Sequence, residues 1–239
     1  MAAGQSGPGP LTPAYVLQAR PYGDTSLLIE LFTQHRGRVG AIARGARGPR
    51  SRMRGLLQPF VPLQVGLQGR GELQTLSLAE ADGTPTPLTG ERVFYGWYVN
   101  ELLLKLLARD DPHPRLFPVY AHVLLRLPDA AADDALRHFE RHLLDEIGFG
   151  LAAPDDLRRA QRYRWTAEVG LQPDGRGSVS GDTVERLLAD QPLPDAAGRE
   201  ARQLLRAILD AALGGRPLQT PLLLRRLRAR LGDNTAPSR

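Results

Sequence analysis

An α+β architecture in two domains, a small N-terminal β-barrel followed by a larger all-α region, is predicted by three observations on the 239-residue sequence. Apolar residues alternate with a period of two as far as Ala81, and from Pro85 onward they recur with a period near 3.6. Glycine and proline clusters divide the first region into five short runs of strand length. A chain of this length buries two separate cores without difficulty.

In the first run Tyr15, Leu17 and Ala19 alternate with Val16 and Gln18, and Pro21-Tyr22-Gly23-Asp24 supplies the turn that ends it. Ser26 to Thr33 (SLLIELFT) is a second strand. Gly37 separates it from a third, Arg38 to Ala46, in which Val39, Ala41 and Ala43 alternate with their neighbours. A loop of Gly, Pro, Ser and Arg from Arg47 to Gly55 follows. Phe60 to Gln68 and Glu72 to Leu78 complete the set, split by the tight turn Gly69-Arg70-Gly71. Five strands in about 70 residues suit a small closed barrel, and the OB-fold is the five-stranded barrel most used on oligonucleotides. An SH3-like barrel satisfies the strand count almost as well.

Glu91 to Leu107 is apolar on nearly every face and is predicted to be the central helix of the α region. Arg115 to Leu127 and Asp134 to Ile147 are its amphipathic partners. Gly148, Gly150 and Pro154 end that pattern, and residues 155–181 are irregular, with a short hairpin signalled by Gly175 and Gly177. Asp182 and Glu185 have the spacing of a capping box opening a helix from Thr183 to Asp190. Two more helices follow, Ala196 to Leu213 and about Pro221 to Leu231. The expected organisation is a disordered tail over 1–11, a barrel over 12–83, helices over 84–231 with the insertion at 155–181, and a second tail over 232–239.

Hydrophobic residues at 42% and charged residues at 24% match soluble globular proteins. No run of roughly 18 apolar residues occurs, and MAAGQSGPGP lacks the features of a secretory signal, so a cytoplasmic location is expected. With no cysteine, thiol catalysis, disulfides and cysteine-based zinc fingers are excluded.

The net charge of +5 is unevenly distributed, and Lys105 is the only lysine among 31 basic residues. Between Leu31 and Gly71 stand Arg36, Arg38, Arg44, Arg47, Arg50, Arg52, Arg54 and Arg70, with no Asp or Glu. Guanidinium groups fit phosphate oxygens, and neutralised phosphates release counterions, so such a block is a candidate site for nucleic acid of any sequence. Tyr22, Phe32 and Phe60 are the nearby aromatics and are expected in the barrel core more than in base stacking.

Other motifs carry less. His138 and His142 have the i, i+4 spacing of a metal pair, but the sequence shows no third ligand beside them, and they are expected to be surface histidines with no metal bound. Gly37-x-x-Gly40 and Gly45-x-x-Gly48 lie among strands and are expected to be turn glycines, not a KH loop. No nucleophile elbow, phosphate-binding loop, dinucleotide signature or compact acidic cluster appears, so no enzymatic activity is expected. The arginines at 225, 226, 228 and 230 extend a basic footprint or favour a helix C-terminus. A basic barrel of the translation machinery that binds RNA is the alternative reading; it leaves unexplained a helical region larger than the barrel.

The run from Pro21 to Phe60 resembles the N-terminal domain of the RecO family of bacterial DNA repair and recombination mediator proteins. The resemblance rests on Tyr22-x-x-Thr25-Ser26-Leu27, Arg44-Gly45-Ala46-Arg47 and the segment Ser51 to Phe60 ending Leu57-Gln58-Pro59-Phe60. Gly71-Glu72-Leu73, Tyr98 to Leu103, Asp111-Pro112-His113 and Leu143 to Gly150 follow in the family's order, and the likeness weakens after Gly150. It implies an OB-fold, binding and annealing of single- and double-stranded DNA, RecR and single-stranded-DNA-binding protein as partners, recombinase loading, and a place at the nucleoid. It also implies a groove for the acidic tail of single-stranded-DNA-binding protein, for which Leu103, Lys105 and Leu106 are the candidates. Some members carry a four-cysteine zinc site where this chain has residues 155–181. Here that segment is expected to hold itself by packing, through Tyr163 and Trp165.

Overall fold

The computed structural model describes residues 10–69 and 71–233. By mutual contacts the chain divides into two compact units. One runs to Thr89 and takes in Gly96–Pro118; the other comprises Gly90–Tyr95 and the residues from Val119 onward.

In the first unit, strands β1 (Leu11–Tyr22), β2 (Ser26–Thr33), β3 (Gly37–Ala43), β4 (Pro62–Gln68) and β5 (Leu73–Ala81) form a closed barrel in the order β1-β2-β3-β5-β4. All neighbours are antiparallel except β3 and β5, whose parallel pairing closes the barrel in the OB manner and removes the SH3-like alternative. Alternation dictates what is inside: Ala14 and Val16, Ile29 and Leu31, Ala41 and Ala43, and Leu63 and Val65 share one core. Phe32, on the opposite face of β2, is fully buried against Phe117 at 5.5 Å between ring centroids. Of the expected tails, residues 1–9 and 234–239 lie outside the described residues, and Leu11 already belongs to β1.

Helix α1 (Arg92–Leu106) contributes its part from Gly96 to this first unit. The β1 register shifts between Val16 and Gln18, and the buried Asn100 Nδ2 donates to the Leu17 carbonyl in that irregularity at 2.9 Å. A buried carbonyl outside the ladder needs such a donor. Beyond α1 the chain lies along the start of β3. The Asp110 N–H donates to the Arg38 carbonyl at 2.8 Å, and Arg38 Nη1 donates to the carbonyls of Leu104 at 2.7 Å and Leu107 at 3.1 Å.

The second unit contains α2 (Leu116–Arg126) from Val119, α3 (Ala132–Glu146), a three-stranded sheet of β6 (Arg162–Thr166), β7 (Gly170–Pro173) and β8 (Val179–Ser180), then α4 (Gly181–Leu188), α5 (Asp195–Leu213) and α6 (Thr220–Asp233). Its core holds Tyr120, Val123, Phe139, Leu143, Val184, Leu205 and Ile208. The sheet forms within the irregular segment. Tyr163 is fully buried, and its hydroxyl accepts the Arg158 N–H at 2.8 Å, while Trp165 is only half-buried. The expected capping box of Asp182 and Glu185 does not form. Ser180, not Asp182, caps α4, its Oγ accepting the Thr183 N–H at 3.3 Å, while Asp182 pairs with Arg186 and Glu185 with Arg159. Among the described residues no helix is long and apolar enough to cross a membrane.

Glu200 on α5 locks this region together. Its carboxylate accepts the Ser180 N–H at 2.9 Å, the Ser180 hydroxyl at 2.8 Å and the Thr183 hydroxyl at 2.7 Å, and pairs with Arg162. Burial opposes ionisation, but these donors outweigh it and hold the carboxyl down to about 2 from its usual 4.5. A depressed carboxyl stabilises the fold above its unfolded value, and that stabilisation is lost as pH falls from about 4.5 towards 2. Glu200→Ala is therefore expected to cost about 1–3 kcal/mol at neutral pH. In urea titrations the gap between variant and parent should narrow over that acid range; a gap independent of pH would refute the ionic lock.

Candidate nucleic-acid interface

The connection from Arg44 to Val61 joins β3 to β4 and carries most of the arginine block. It is built from successive tight turns, with the Gly48 N–H on the Gly45 carbonyl at 3.0 Å, Ser51 on Gly48 at 3.1 Å and Leu56 on Met53 at 3.1 Å. Ala46 and Leu57 are buried in the barrel core, and Met53 and Leu56 pack against it. With those apolar residues turned inward, Arg44, Arg47, Arg50, Arg52 and Arg54 are left exposed on the outside. Arg44, Arg50, Arg52 and Arg54 make no ion pair among the described residues.

This loop is tied to the β1–β2 turn. The Arg47 N–H donates to the Thr25 carbonyl at 2.7 Å, and its Nη1 donates to the Gly23 carbonyl at 3.2 Å. Tyr22, the last residue of β1, is not in the barrel core as expected but stands 50% exposed at that turn, where its ring is free to stack on a base. Phe32 is fully buried, but outside the barrel core, on the other face of β2 against Phe117, and Phe60 is partly buried. Arg20, exposed on β1 opposite Leu28, adds a cation to the same strand that sequence reasoning missed. Its signal was the outward phase shared with Gln18.

The remaining members of the block are placed otherwise. Arg36, in the turn before β3, and Arg38, near its start, lie at the far end of that strand from Arg44, with Arg38 about 20 Å away. Arg36 pairs with Asp110. Arg38 is largely buried and shares Glu30 with Arg109, its Nε lying 2.9 Å from the carboxylate. Burial raises the Glu30 carboxyl, but the two guanidinium groups outweigh it and hold the group below its usual range. Arg38 is thus spent on the packing of the α1 end. Arg70 lies outside the described residues.

Leu103 does not contribute to an exposed peptide groove. It is fully buried because α1 turns that face into the core, and Lys105, half-buried, stands 3.8 Å from Glu101. Leu106 is half-buried beside it. In the second unit, Arg228 makes a bidentate pair with Glu91 at 2.6 and 2.7 Å, whereas Arg225, Arg226 and Arg230 are exposed.

A third donor missing from the linear reading stands beside the histidine pair. Asp190, just past α4 with φ +51°, places its carboxylate over α3, where His138 Nδ1 lies 2.9 Å from Oδ1 and His142 Nε2 lies 3.3 Å from Oδ2. Arg141 bridges the same carboxylate at 3.1 and 2.5 Å and holds Asp145 with its other nitrogen at 2.7 Å. Burial, reinforced by the Arg141 charge, pushes His142 below its usual imidazole value and keeps it neutral at pH 7. The four-cysteine zinc site of some RecO proteins does not fit residues 155–181, which contain no cysteine.

Residues 11–83 match the family described as "Recombination protein O N terminal", and residues 87–162 match "Recombination protein O C terminal". A protein named "DNA repair protein RecO" from Alkalilimnicola ehrlichii is 46% identical over 90% of this chain and 90% of its own length. One so named from Nitrosococcus oceani is 43% identical over 93% of this chain and 95% of its own. Another, from Coxiella burnetii, is 39% identical over 90% of this chain and 97% of its own. A closed barrel of OB order, an outward-facing arginine loop on its rim and this similarity along both regions place the chain in the RecO family of DNA repair proteins.

Proposed function

We propose that the protein is a non-enzymatic mediator of DNA repair and homologous recombination that binds single- and double-stranded DNA without sequence preference and anneals complementary strands. The observation that carries this reading is the loop of five exposed arginines pinned to the barrel rim. Loop guanidinium groups that no carboxylate among the described residues neutralises are free to meet phosphates, and counterion release then supplies affinity indifferent to sequence. One exposed aromatic, Tyr22, offers stacking to an unpaired base without demanding it, so duplexes are bound as well. Screening the phosphates of two strands on one surface lowers the repulsion that opposes their encounter, and annealing needs no further chemistry.

Within this reading the partners are RecR and the acidic C-terminal tail of single-stranded-DNA-binding protein, and the role at the nucleoid is to help load recombinase on coated strands. Strand annealing on complementary strands covered with single-stranded-DNA-binding protein tests it. The full chain is expected to accelerate annealing and to bind a tail peptide at low salt. RNA bound in clear preference to DNA would instead favour the translation-type alternative. Strands left unannealed by a folded, DNA-bound protein would overturn the mediator assignment.

A further inference from the structure

We propose that His138, His142 and Asp190, in the second unit, form a binding site for one divalent first-row transition ion of the zinc type. The donor atoms of the three residues all lie within 4.8 Å of one another. A tetrahedral ion with bonds of about 2.1 Å spaces its ligands by about 3.4 Å, so the three side chains close on an ion with small shifts once the Arg141 Nη2 between His142 and Asp190 moves out. Both imidazoles direct one ring nitrogen at the same carboxylate, and their rings stand 4.3 Å apart. One helix supplies the histidines at i, i+4, and the left-handed turn after α4 supplies the carboxylate. Two imidazole nitrogens and one carboxylate oxygen suit zinc, cobalt or nickel and disfavour magnesium or calcium, which select oxygen donors.

Arg141 is the competing cation at this site: its Nη2 stands 2.7 Å from His142 Nε2 and 2.5 Å from Asp190 Oδ2, the place an ion would take, and it must swing towards Asp145 for a metal to enter. It has Asp145 as a second counterion at 2.7 Å, so it remains paired when Asp190 turns to a metal, and its hydrogen bond to the carboxylate then orients a ligand from outside the coordination shell. The histidines are half-buried and Asp190 is exposed, which leaves room for water in the remaining coordination positions. A bound ion ties α3 to the turn after α4. His122, whose ring centroid is 6.2 Å from that of His138, is outside the donor set.

The test uses tag-free full-length protein titrated with cobalt(II) and zinc(II). With no cysteine and five histidines in the chain, the background of other ligands is small. One cobalt equivalent per chain with visible d–d absorption is expected, displaced by zinc, together with a rise in Tm of about 5–10 °C at zinc 100-fold above its dissociation constant. His138→Gln, His142→Gln and Asp190→Asn should each weaken binding at least about tenfold, with the fold checked by circular dichroism, and His122→Gln should not. Unsaturable binding to the parent protein would overturn the proposal, as would binding that survives His138→Gln/His142→Gln or one that depends on His122 and not on Asp190.

Discussion

Replacing Arg47, Arg50, Arg52 and Arg54 together by alanine is expected to lower the slope of log affinity against log salt by about 3, at roughly 0.7 to 0.9 for each phosphate that is no longer neutralised. Single strands take the lower value and duplexes the higher. Binding at moderate salt should weaken at least about tenfold, equally for unrelated sequences, because these side chains offer charge to the backbone and not hydrogen bonds to particular bases. The fold should persist. The loop is held by Ala46, Met53, Leu56 and Leu57 against the barrel and by the Arg47 N–H on Thr25, none of which the substitutions remove. Annealing should fall in parallel with binding. The matched control is Arg225→Ala/Arg226→Ala/Arg230→Ala, which removes three exposed arginines from α6 in the other unit. A folded loop variant with unchanged salt slope and annealing rate would move the DNA site off this loop, and a larger loss from the α6 variant would name its replacement.

Gly37→Ala is expected to destabilise the first unit by more than about 4 kcal/mol, two effects acting together. Gly37 follows the β2–β3 turn with φ +63°, a left-handed conformation that costs an L side chain about 1–2 kcal/mol. A methyl group there would also lie 1.8 Å from the Asp111 carbonyl oxygen and 2.8 Å from its carbon. That backbone cannot withdraw cheaply. It is held by the Asp110 N–H on Arg38 at 2.8 Å, by the Arg36–Asp110 pair, and by Arg38 on the carbonyls that end α1. Gly45→Ala separates the two effects, since Gly45 has φ +67° with nothing within 4 Å of the added carbon. It should cost only the conformational part, about 1–2 kcal/mol. Equal losses for the two variants in chemical denaturation would show that Asp111 does not constrain the turn.

Much of the fold was legible because short-range chemistry specifies it. Period two and turn glycines located five strands, with β2 from Ser26 to Thr33 as expected. The helices start and end within a few residues of their expected bounds, where apolar spacing changes or proline and glycine intervene. Capping was less legible. Ser180 and Asp182 are both good caps by residue type, and only the path of the chain out of β8 selects Ser180.

The candidate site was legible as composition and not as geometry. Eight arginines with no counter-charge read as one block along the chain, yet strand β3 sends Arg36 and Arg38 to one end of the barrel and the residues from Arg44 to the other. Arg38 met its partners Glu30, Leu104 and Leu107 only through folding, across as many as 69 positions. Leu103 likewise went to the core because α1 from Gly96 packs with the barrel, which its uniformly apolar sequence does not announce.

Local pattern thus accounts for the strands, the helices and the sign of the charge, since each depends on residues within a few positions of one another. The closure of β3 on β5, the bracing of Arg36 on Asp110 and of Arg38 on the carbonyls that end α1, and the meeting of Asp190 with His138 and His142 each join residues about 30 to 80 positions apart. Periodicity has no reach over such distances. They are set by which apolar faces must be buried together, and the polar groups come to their partners as a consequence of that burial.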